Sequence, residues 1–491
     1  MAGGIRRREF AKLLGSAGAS VCVVGLPGCR RAAGSAQARR KLDSIDERAI
    51  REFVAGMHGS VLRPTDRDYE AARRIFNTRL DRRPGLIARC ADTADVKRAV
   101  DFARAENLLL AVRGGGHNDA GYSTCDAGLV IDLSRMKGLE VDAERNIVRA
   151  GPGLVVGELD AGTQEAGLAL VLGGCASVGI GGFTVGGGYG DLSTVHGAGC
   201  DTLASAQVVL ADGRVVTASL DENPELFWAL RGGGGNFGVV TSFELRAHPL
   251  TQIVGGSLLY DPAQARSVLR AYRHFAPSAP DALHAVFSFS ARQDQPAFAL
   301  RVVYVGDTAS AESVLRTLRS FATPKADSVA AVSYHAFHLS SSPPPDARAP
   351  ARVRTGFLAD LPDPVIDAIA ELGAEVPPAA LLHVDHLHGA ISRVPLTEAA
   401  FPLRRPGFHC FAAGPWLEAS ARDAAEDWVR RFWDAVRPHA SGAYVSMLAE
   451  DDADRVAAAY GEQYPRLAAL KRKYDPENLF RLNPDLTQIA D

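Results

Sequence analysis

Ala111-Val112-Arg113-Gly114-Gly115-Gly116-His117-Asn118 joins a short apolar run to three glycines and a histidine. Apolar residues at helical spacing run from Asp95 to Ala105, and Leu108 to Val112 is typical of a buried strand. Three glycines after a strand let backbone N–H groups approach an anionic ligand without hindrance from Cβ atoms. The alternative is a glycine-rich turn followed by an ordinary histidine, because short glycine motifs are weak evidence.

Two further glycine-rich stretches make the pattern specific. Residues 172–190 read LGGCASVGIGGFTVGGGYG, and residues 226–241 read LFWALRGGGGNFGVVT. Together the three stretches resemble the FAD-linked oxidases of the berberine-bridge-enzyme type, within the vanillyl-alcohol-oxidase flavoprotein superfamily. The resemblance runs from about Pro84 to Leu250 and returns in the C-terminal segment from Tyr464 to Phe480.

This resemblance implies an α+β fold. It has a PCMH-type FAD-binding domain of two α+β subdomains and a substrate domain in which helices flank an antiparallel sheet. We place the FAD-binding domain at residues 41–250, with its core at about 82–250, and the substrate domain at 251–442, where the glycine clusters vanish. Residues 443–491 would return to the FAD domain as a berberine-bridge-like segment.

Composition limits the partners to expect. The chain has 491 residues, too many for one ordinary core, and its net charge of −3 gives no reason to expect nucleic acid or an anionic membrane surface. Seven cysteines are an odd number, and those after residue 40 show no metal-ligand spacing, so we predict no metal site. A small-molecule substrate and a monomeric or dimeric protein are expected.

Residues 1–40 are interpreted as a targeting segment. Paired arginines before Phe10 and Lys12 resemble a twin-arginine export signal, which predicts a periplasmic or secreted protein. The apolar run from Leu13 to Pro27 is too short and glycine-rich for a stable membrane span. Cys29 follows a loose lipoprotein-like box, which leaves anchoring as a minor alternative, and a merely basic tail is another.

By resemblance, His117 is attached to the flavin 8α-methyl carbon and Cys175 to flavin C6. The family pattern around this cysteine is Gly-x-Cys-Pro-Thr-Val-Gly, and here Ala176 and Ser177 replace its Pro and Thr. Attachment needs a neutral imidazole and an accessible thiolate. Cys175 as a small buried apolar residue remains the alternative.

The remaining candidate cofactor-binding residues lie in or beside the glycine stretches and in the C-terminal segment. They are Arg113, Gly114, Gly115, Gly116, Asn118, Val178, Gly179, Gly181, Gly182, Gly187, Gly188, Gly238, Val239 and Asn483. In the family, a side chain three residues after the tethering cysteine lies beside the flavin carbon that dioxygen attacks. Here that residue is Val178, and a valine predicts open access for dioxygen.

Two residues are candidate catalytic bases. Hydride removal from a carbinol carbon requires the hydroxyl proton to depart too, so a base should lie within hydrogen-bond reach. Tyr444 keeps the first aromatic of the family's Tyr-x-Asn-Tyr segment, although a packed sheet residue is the alternative. His388 stands in a strand that resembles the family strand facing the flavin, and His386 shares its face.

The sequence therefore predicts an exported oxidase with bicovalently bound FAD. It would take a hydride from an alcohol, hemiacetal or amine-like carbon and reduce O2 to H2O2. Two alternatives stay open: a dehydrogenase that passes electrons to a quinone or cytochrome, and a flavin-binding or ligand-binding protein without turnover.

Overall fold

The computed structural model describes residues 42–292, 295–340, 342–344 and 347–488. The predicted export segment lies outside the described residues. Within them, no helix combines the length and apolar character needed to cross a membrane. The five described cysteines, Cys90, Cys125, Cys175, Cys200 and Cys410, are all free thiols.

The first subdomain is a four-stranded sheet with the order β1-β2-β4-β3, in which β2, β4 and β3 are parallel and β1 is antiparallel to β2. Its elements are α1 (Glu47–Ala55), β1 (Ser60–Leu62), α2 (Tyr69–Arg73), β2 (Leu86–Arg89), α3 (Thr93–Ala105), β3 (Leu110–Arg113) and β4 (Leu129–Asp132).

Both larger helices of this subdomain begin at an aspartate cap. Asp92 accepts the Asp95 N–H at the start of α3, which buries Val96, Ala99, Val100 and Ala103 at helical spacing. The spacing of apolar residues predicts an amphipathic helix over residues 41–57. Helix α1 is shorter, because Asp46 caps it immediately before Glu47.

The second subdomain is a five-stranded antiparallel sheet, β5-β6-β10-β8-β9, beside a two-stranded sheet of β7 and β11. Its elements are β5 (Leu139–Asp142), β6 (Ile147–Ala150), α4 (Val156–Gln164), β7 (Leu168–Ala169), α5 (Ile180–Val185), α6 (Ser193–His196), β8 (Leu203–Val209), β9 (Val215–Ser219), α7 (Pro224–Leu230), β10 (Val239–Arg246) and β11 (His248–Pro249). Ala211-Asp212-Gly213 between two β-rich runs predicts a hairpin. It is present as β8 and β9, with Gly213 at φ 83° in the turn.

The predicted substrate domain is an eight-stranded sheet whose described strand pairs are all antiparallel. Its elements are β12 (Gln252–Tyr260), α8 (Ala265–Phe275), β13 (Leu283–Arg292), β14 (Gln295–Tyr304), α9 (Thr308–Arg319), β15 (Ala326–Asp327), β16 (Ala330–Ser333), α10 (Tyr334–His338), β17 (Ala351–Leu358), α11 (Asp363–Ala374), β18 (Leu381–Leu387), β19 (Gly407–Pro415) and α12 (Arg422–Val436).

Alternation along these strands separates two faces of the sheet. Apolar residues such as Phe287, Leu382 and Cys410 form one core with α8, α9, α11 and α12 on the helix-covered face. The opposite face carries a row of polar residues from five neighbouring strands, which we call the polar row: Thr355, His409, Asp385, His284 and Arg301. The predicted antiparallel sheet with flanking helices is confirmed.

The C-terminal segment packs onto the glycine-rich part of the chain. It contains α13 (Val456–Tyr460) and α14 (Tyr464–Tyr474). Leu467 and Leu470 of α14 share a core with the second subdomain, and Leu479 and Phe480 share one with the first. The buried Lys471 ammonium donates to Asp475 at 2.7 Å and to the carbonyl oxygen of Asn236 at 3.0 Å, which fastens the segment to the third glycine stretch.

Candidate functional site

Two glycine stretches meet backbone to backbone. A Cβ on Gly115 would lie 2.2 Å from the Gly179 nitrogen, and one on Gly179 would lie 2.1 Å from the Gly115 nitrogen. Gly114 and Gly181 both approach the carbonyl oxygen of Pro152. This close contact brings the loop after β3 against the loop before α5.

The contact places the two predicted attachment residues on either side of Ser177. The Ser177 hydroxyl lies 3.0 Å from His117 Nε2 and 3.6 Å from the Cys175 sulfur. The Phe76 ring stacks on the His117 ring with centroids 4.0 Å apart. Burial lowers the pKa of His117 to about 4, so the imidazole is neutral and nucleophilic near pH 7.

These residues fit a flavin dinucleotide. Apart from the chain neighbours and, for Gly182, the backbone of its own helix, no described atom lies within 4 Å of an added Cβ at Gly174 or Gly182, so an approaching group can reach the backbone there. A neutral imidazole and a half-buried thiol are the two nucleophiles that double attachment requires. When bound, FAD would supply the two-electron acceptor for hydride transfer.

Side chains of two predicted cofactor-binding residues have other partners. The buried Arg113 guanidinium donates to Asp132 at 2.8 Å and to the carbonyl oxygen of Ala72. Burial alone would raise the pKa of Asp132, but Arg113 lowers it overall. Asn118 donates to the carbonyl oxygen of Ser446 at 3.3 Å. Both side chains therefore hold the glycine loop in place.

The other predicted residues spread over three places. Gly187 and Gly188 have φ values of 107° and 70° and pack against aromatic rings. Gly238 approaches Val208, and Val239 is buried in the first subdomain's core at the start of β10. Asn483 lies beside Gly235. Sequence separates these residues by up to about 300 positions, whereas the fold gathers them along the same glycine-rich region.

Val178 closes the turn that carries Cys175. Its N–H donates to the Cys175 carbonyl oxygen at 3.2 Å, and its own carbonyl oxygen accepts the Val156 N–H at 2.9 Å. The side chain is half-buried against the core of the second subdomain. A larger side chain here would change the packing next to the attachment residues.

Tyr444 is buried and is not a sheet residue; it precedes a short 3-10 turn. Its hydroxyl oxygen accepts the Gly188 N–H at 3.2 Å, and burial raises its pKa to about 12. Tyr444 thus lies beside the second glycine stretch, and its role as a catalytic base stays a prediction. Its phenol is held as a neutral acceptor.

His388 requires a correction. His386 and His388 do stack, with ring centroids 4.2 Å apart, as the alternation predicted. Their face is the helix-covered one, however, since His386 Nδ1 lies 3.0 Å from the Tyr272 hydroxyl on α8. His388 Nε2 donates to the carbonyl oxygen of Leu283, and burial lowers the His388 pKa to about 4. The face turned towards the glycine stretch carries Asp385 instead.

Sequence reasoning missed the polar row and its two partners, Tyr189 and Asp191. The Tyr189 hydroxyl lies 2.6 Å from His409 Nδ1 and 3.4 Å from Asp385. Asp191 accepts two hydrogen bonds from Arg301 and lies 3.4 Å from His284 Nδ1. Two sequence patterns could have revealed these residues. Tyr189 and Asp191 are two positions apart directly after the glycines, and successive residues of β18 alternate between the two faces of the sheet.

Both carboxylates of this region are ionised. Burial alone would raise the pKa of Asp191, but Arg301 and His284 hold it well below its usual range. Burial acts on Asp385 in the same way, and its neighbours His409, His383 and His284 lower its pKa overall. The polar row is thus a buried charged surface facing the second glycine stretch.

One trio of possible metal ligands lies elsewhere. His58, Asp92 and Asp95 bring ligand atoms within 4.8 Å of one another. Asp95 already accepts the backbone N–H groups of His58, Gly59 and Ala91, and Asp92 pairs with the His58 ring. These bonds account for the cluster as a loop anchor at the start of α3.

The chain matches the family model described as "FAD binding domain" over residues 84–219 and that described as "Berberine and berberine like" over residues 443–485. It is 32% identical to (R)-6-hydroxynicotine oxidase of Paenarthrobacter nicotinovorans, over 87% of this chain and 96% of that protein. The crystal structure of 6-hydroxy-D-nicotine oxidase from Arthrobacter nicotinovorans superposes with a TM-score of 0.78 at 29% identity, covering 88% of this chain and 98% of that one.

Glucooligosaccharide oxidase of Acremonium strictum shares the fold, with a TM-score of 0.80 at 22% identity over 89% of this chain and 99% of that one. Its FAD is described as 6-S-cysteinyl and 8α-N1-histidyl. The two family-model matches cover the first two glycine stretches and the C-terminal segment, and the similarity to a named oxidase extends over most of both chains. The chain therefore belongs to the berberine-bridge-enzyme-like family of FAD-linked oxidoreductases.

Proposed function

We propose that the protein is an oxidase whose FAD is bound covalently through both His117 and Cys175. It takes a hydride from a carbon that bears a hydroxyl or amine group and passes the electrons to O2, releasing H2O2. The observation that carries this proposal is the His117–Ser177–Cys175 arrangement where the two glycine stretches meet.

Attachment at two points is supported by chemistry as well as by position. His117 is neutral because it is buried, so a ring nitrogen is free to attack an electrophilic flavin carbon. Ser177 contacts both attachment side chains and keeps a hydroxyl where the family pattern has threonine. The replacement of that pattern's proline by Ala176 does not remove this contact.

The test of attachment needs no substrate. Acid-precipitated protein should stay yellow, with its intact mass raised by one FAD. Single His117→Ala and Cys175→Ala variants should each retain one bond, whereas the double variant should release its flavin into the supernatant. Cys125→Ala is the matched control, because burial raises the pKa of that thiol to about 12 and keeps it unreactive. Colourless pellets from flavin-loaded protein would contradict the proposal.

The substrate class is tested by anaerobic bleaching. The relative at 32% identity is named for a hydroxynicotine, and a solved neighbour is named for oligosaccharides. A panel should therefore include (R)-6-hydroxynicotine, cellobiose and simple alcohols. Bleaching followed by peroxide release in air supports the oxidase. Bleaching with fast transfer only to a quinone dye favours the dehydrogenase, and no bleaching by a broad panel favours a binding protein.

A further inference from the structure

We propose that Tyr189 and His409 form the acid–base pair of this enzyme. Tyr189 accepts the proton of the substrate's O–H or N–H group while passing its own phenolic proton to His409. This assignment rests on the oxidoreductase function proposed above, and it replaces Tyr444 and His388 as the groups that move the proton.

The geometry of the pair is that of a proton relay. The Tyr189 oxygen and His409 Nδ1 are 2.6 Å apart, within strong hydrogen-bond distance. The other ring nitrogen, Nε2, contacts the Thr355 hydroxyl. If Nε2 carries the hydrogen and donates it to Thr355, then Nδ1 is the acceptor for Tyr189. The longer distance of 3.4 Å from Tyr189 to Asp385 supports this tautomer.

Tyr189 is better placed for proton transfer than Tyr444. The two rings meet edge to face with centroids 5.4 Å apart, so both adjoin the same glycine stretch. Tyr444 is buried, and its oxygen is hydrogen-bonded to the Gly188 N–H. Tyr189 is half-buried and has a base at hydrogen-bond distance. Of the two phenols, Tyr189 is the one with an imidazole nitrogen at hydrogen-bond distance, which can take its proton as it gains another.

The electrons and protons balance in this scheme. FAD, when bound, would supply the acceptor for the hydride of the substrate carbon. The substrate's O–H or N–H bond breaks as its proton moves to the Tyr189 oxygen. The phenolic proton of Tyr189 moves to His409 Nδ1, which becomes a cation. The product holds a new C=O or C=N bond. After the product leaves, the half-buried Tyr189 gives a proton to solvent while His409 Nδ1 returns its proton to the phenol, which restores the pair.

A carboxylate and three further titratable groups surround the His409 ring. Asp385 lies directly opposite His409 on the neighbouring strand, and its ionised carboxylate is 3.9 Å from Nδ1. The other titratable groups facing the ring are Tyr189, Tyr444 and His383. Burial lowers the pKa of His383, so that neighbour is neutral near pH 7. Asp385 is therefore a positioning residue that stabilises the imidazolium.

A relay also removes the difficulty of forming a buried tyrosinate. Burial and the nearby Asp385 hold the pKa of Tyr189 well above its usual range. An isolated phenolate at this place would be unfavourable, since desolvation disfavours the charged form. Transfer of both protons together leaves Tyr189 neutral throughout. Flavin reduction should consequently not rise with phenol ionisation at high pH.

The rate experiment uses the full-length holoenzyme and whichever compound of the panel above bleaches the flavin fastest. Tyr189→Phe and His409→Gln should each slow anaerobic reduction by roughly 10²–10⁴-fold, with the flavin still acid-stable. The matched control is Tyr272→Phe, which removes a phenol hydrogen-bonded to a histidine on the helix-covered face of the same sheet. It should leave the rate within about twofold. A loss in Tyr444→Phe but not in Tyr189→Phe would overturn the assignment.

A second measurement needs no substrate. In protein labelled with [¹⁵N]histidine, the signals absent from His409→Gln identify His409. Its Nδ1 should be an unprotonated hydrogen-bond acceptor, and Tyr189→Phe should shift that signal while Tyr272→Phe does not. A neutral His409 protonated at Nδ1 would refute the relay. If no panel compound bleaches the flavin, the proposed function fails, and the nitrogen signals still decide on the pair.

Discussion

Gly115→Ala tests the contact on which the whole site depends. The added Cβ would meet the Gly179 nitrogen at 2.2 Å, whereas ordinary van der Waals contacts begin at about 3.4 Å. Both partners are backbone, so neither rotates away, and the loops must separate by about 1 Å. Overpacking of this kind costs typically 1–3 kcal/mol, and more where the backbone cannot relax. The same movement separates His117 from Ser177.

We expect a free energy of unfolding about 3 kcal/mol lower. The apparent Tm should fall by about 3 °C, since an unfolding entropy of about 2.1 cal/mol/K per residue over the roughly 440 described residues makes 1 kcal/mol worth about 1 °C. The fraction of the protein that carries acid-stable flavin should fall as well. Gly138→Ala is the matched control: the residue is exposed, lies outside the proposed flavin site, and apart from its chain neighbours no described atom lies within 4 Å of its added Cβ. Equal Tm losses in the two variants, measured by calorimetry in the His117→Ala/Cys175→Ala background that carries no covalent flavin, would refute the reasoning.

Three further predictions concern pH, oxygen and export. Burial lowers the pKa of His386 to about 3 and that of His388 to about 4. Between about pH 4 and 6.5 the unfolded chain therefore binds more protons than the folded one. The free energy of unfolding should consequently fall as the pH drops through that window. Replacing both with glutamine should flatten this dependence in urea titrations at pH 4.5 and 7. Val178→Leu should slow reoxidation of the reduced flavin at least tenfold and should have little effect on anaerobic reduction. Tightly packed interiors have few voids larger than water, so one added methylene is enough to fill a path for dioxygen. Unchanged reoxidation in stopped-flow measurements would show that Val178 does not lie on that path. Changing Arg7 and Arg8 to lysine should strand flavin-loaded protein in the cytoplasm, and unchanged export in cell fractions would mean another route.

The sequence determined the features that depend on neighbours along the chain. Apolar residues three and four apart, after a capping Asp92, are enough to predict α3, and Gly213 between two β-rich runs is enough to predict the β8–β9 hairpin. The glycine stretches with His117 and Cys175 also identified the flavin-binding class, because so specific a combination has few other uses. Strand alternation even predicted that His386 and His388 share a face.

Only the tertiary structure decided which face of the sheet His386 and His388 share. The alternation of side chains along a strand determines which residues share a face, but not which layer of the protein that face packs against. The helices that cover His386 come from distant parts of the chain. For the same reason the polar row could not be read from sequence, since its five strands are joined by register between segments up to about 100 residues apart. The Tyr189–His409 pair spans 220 residues, and no local pattern records a contact that exists only once the sheet has formed against the glycine loop.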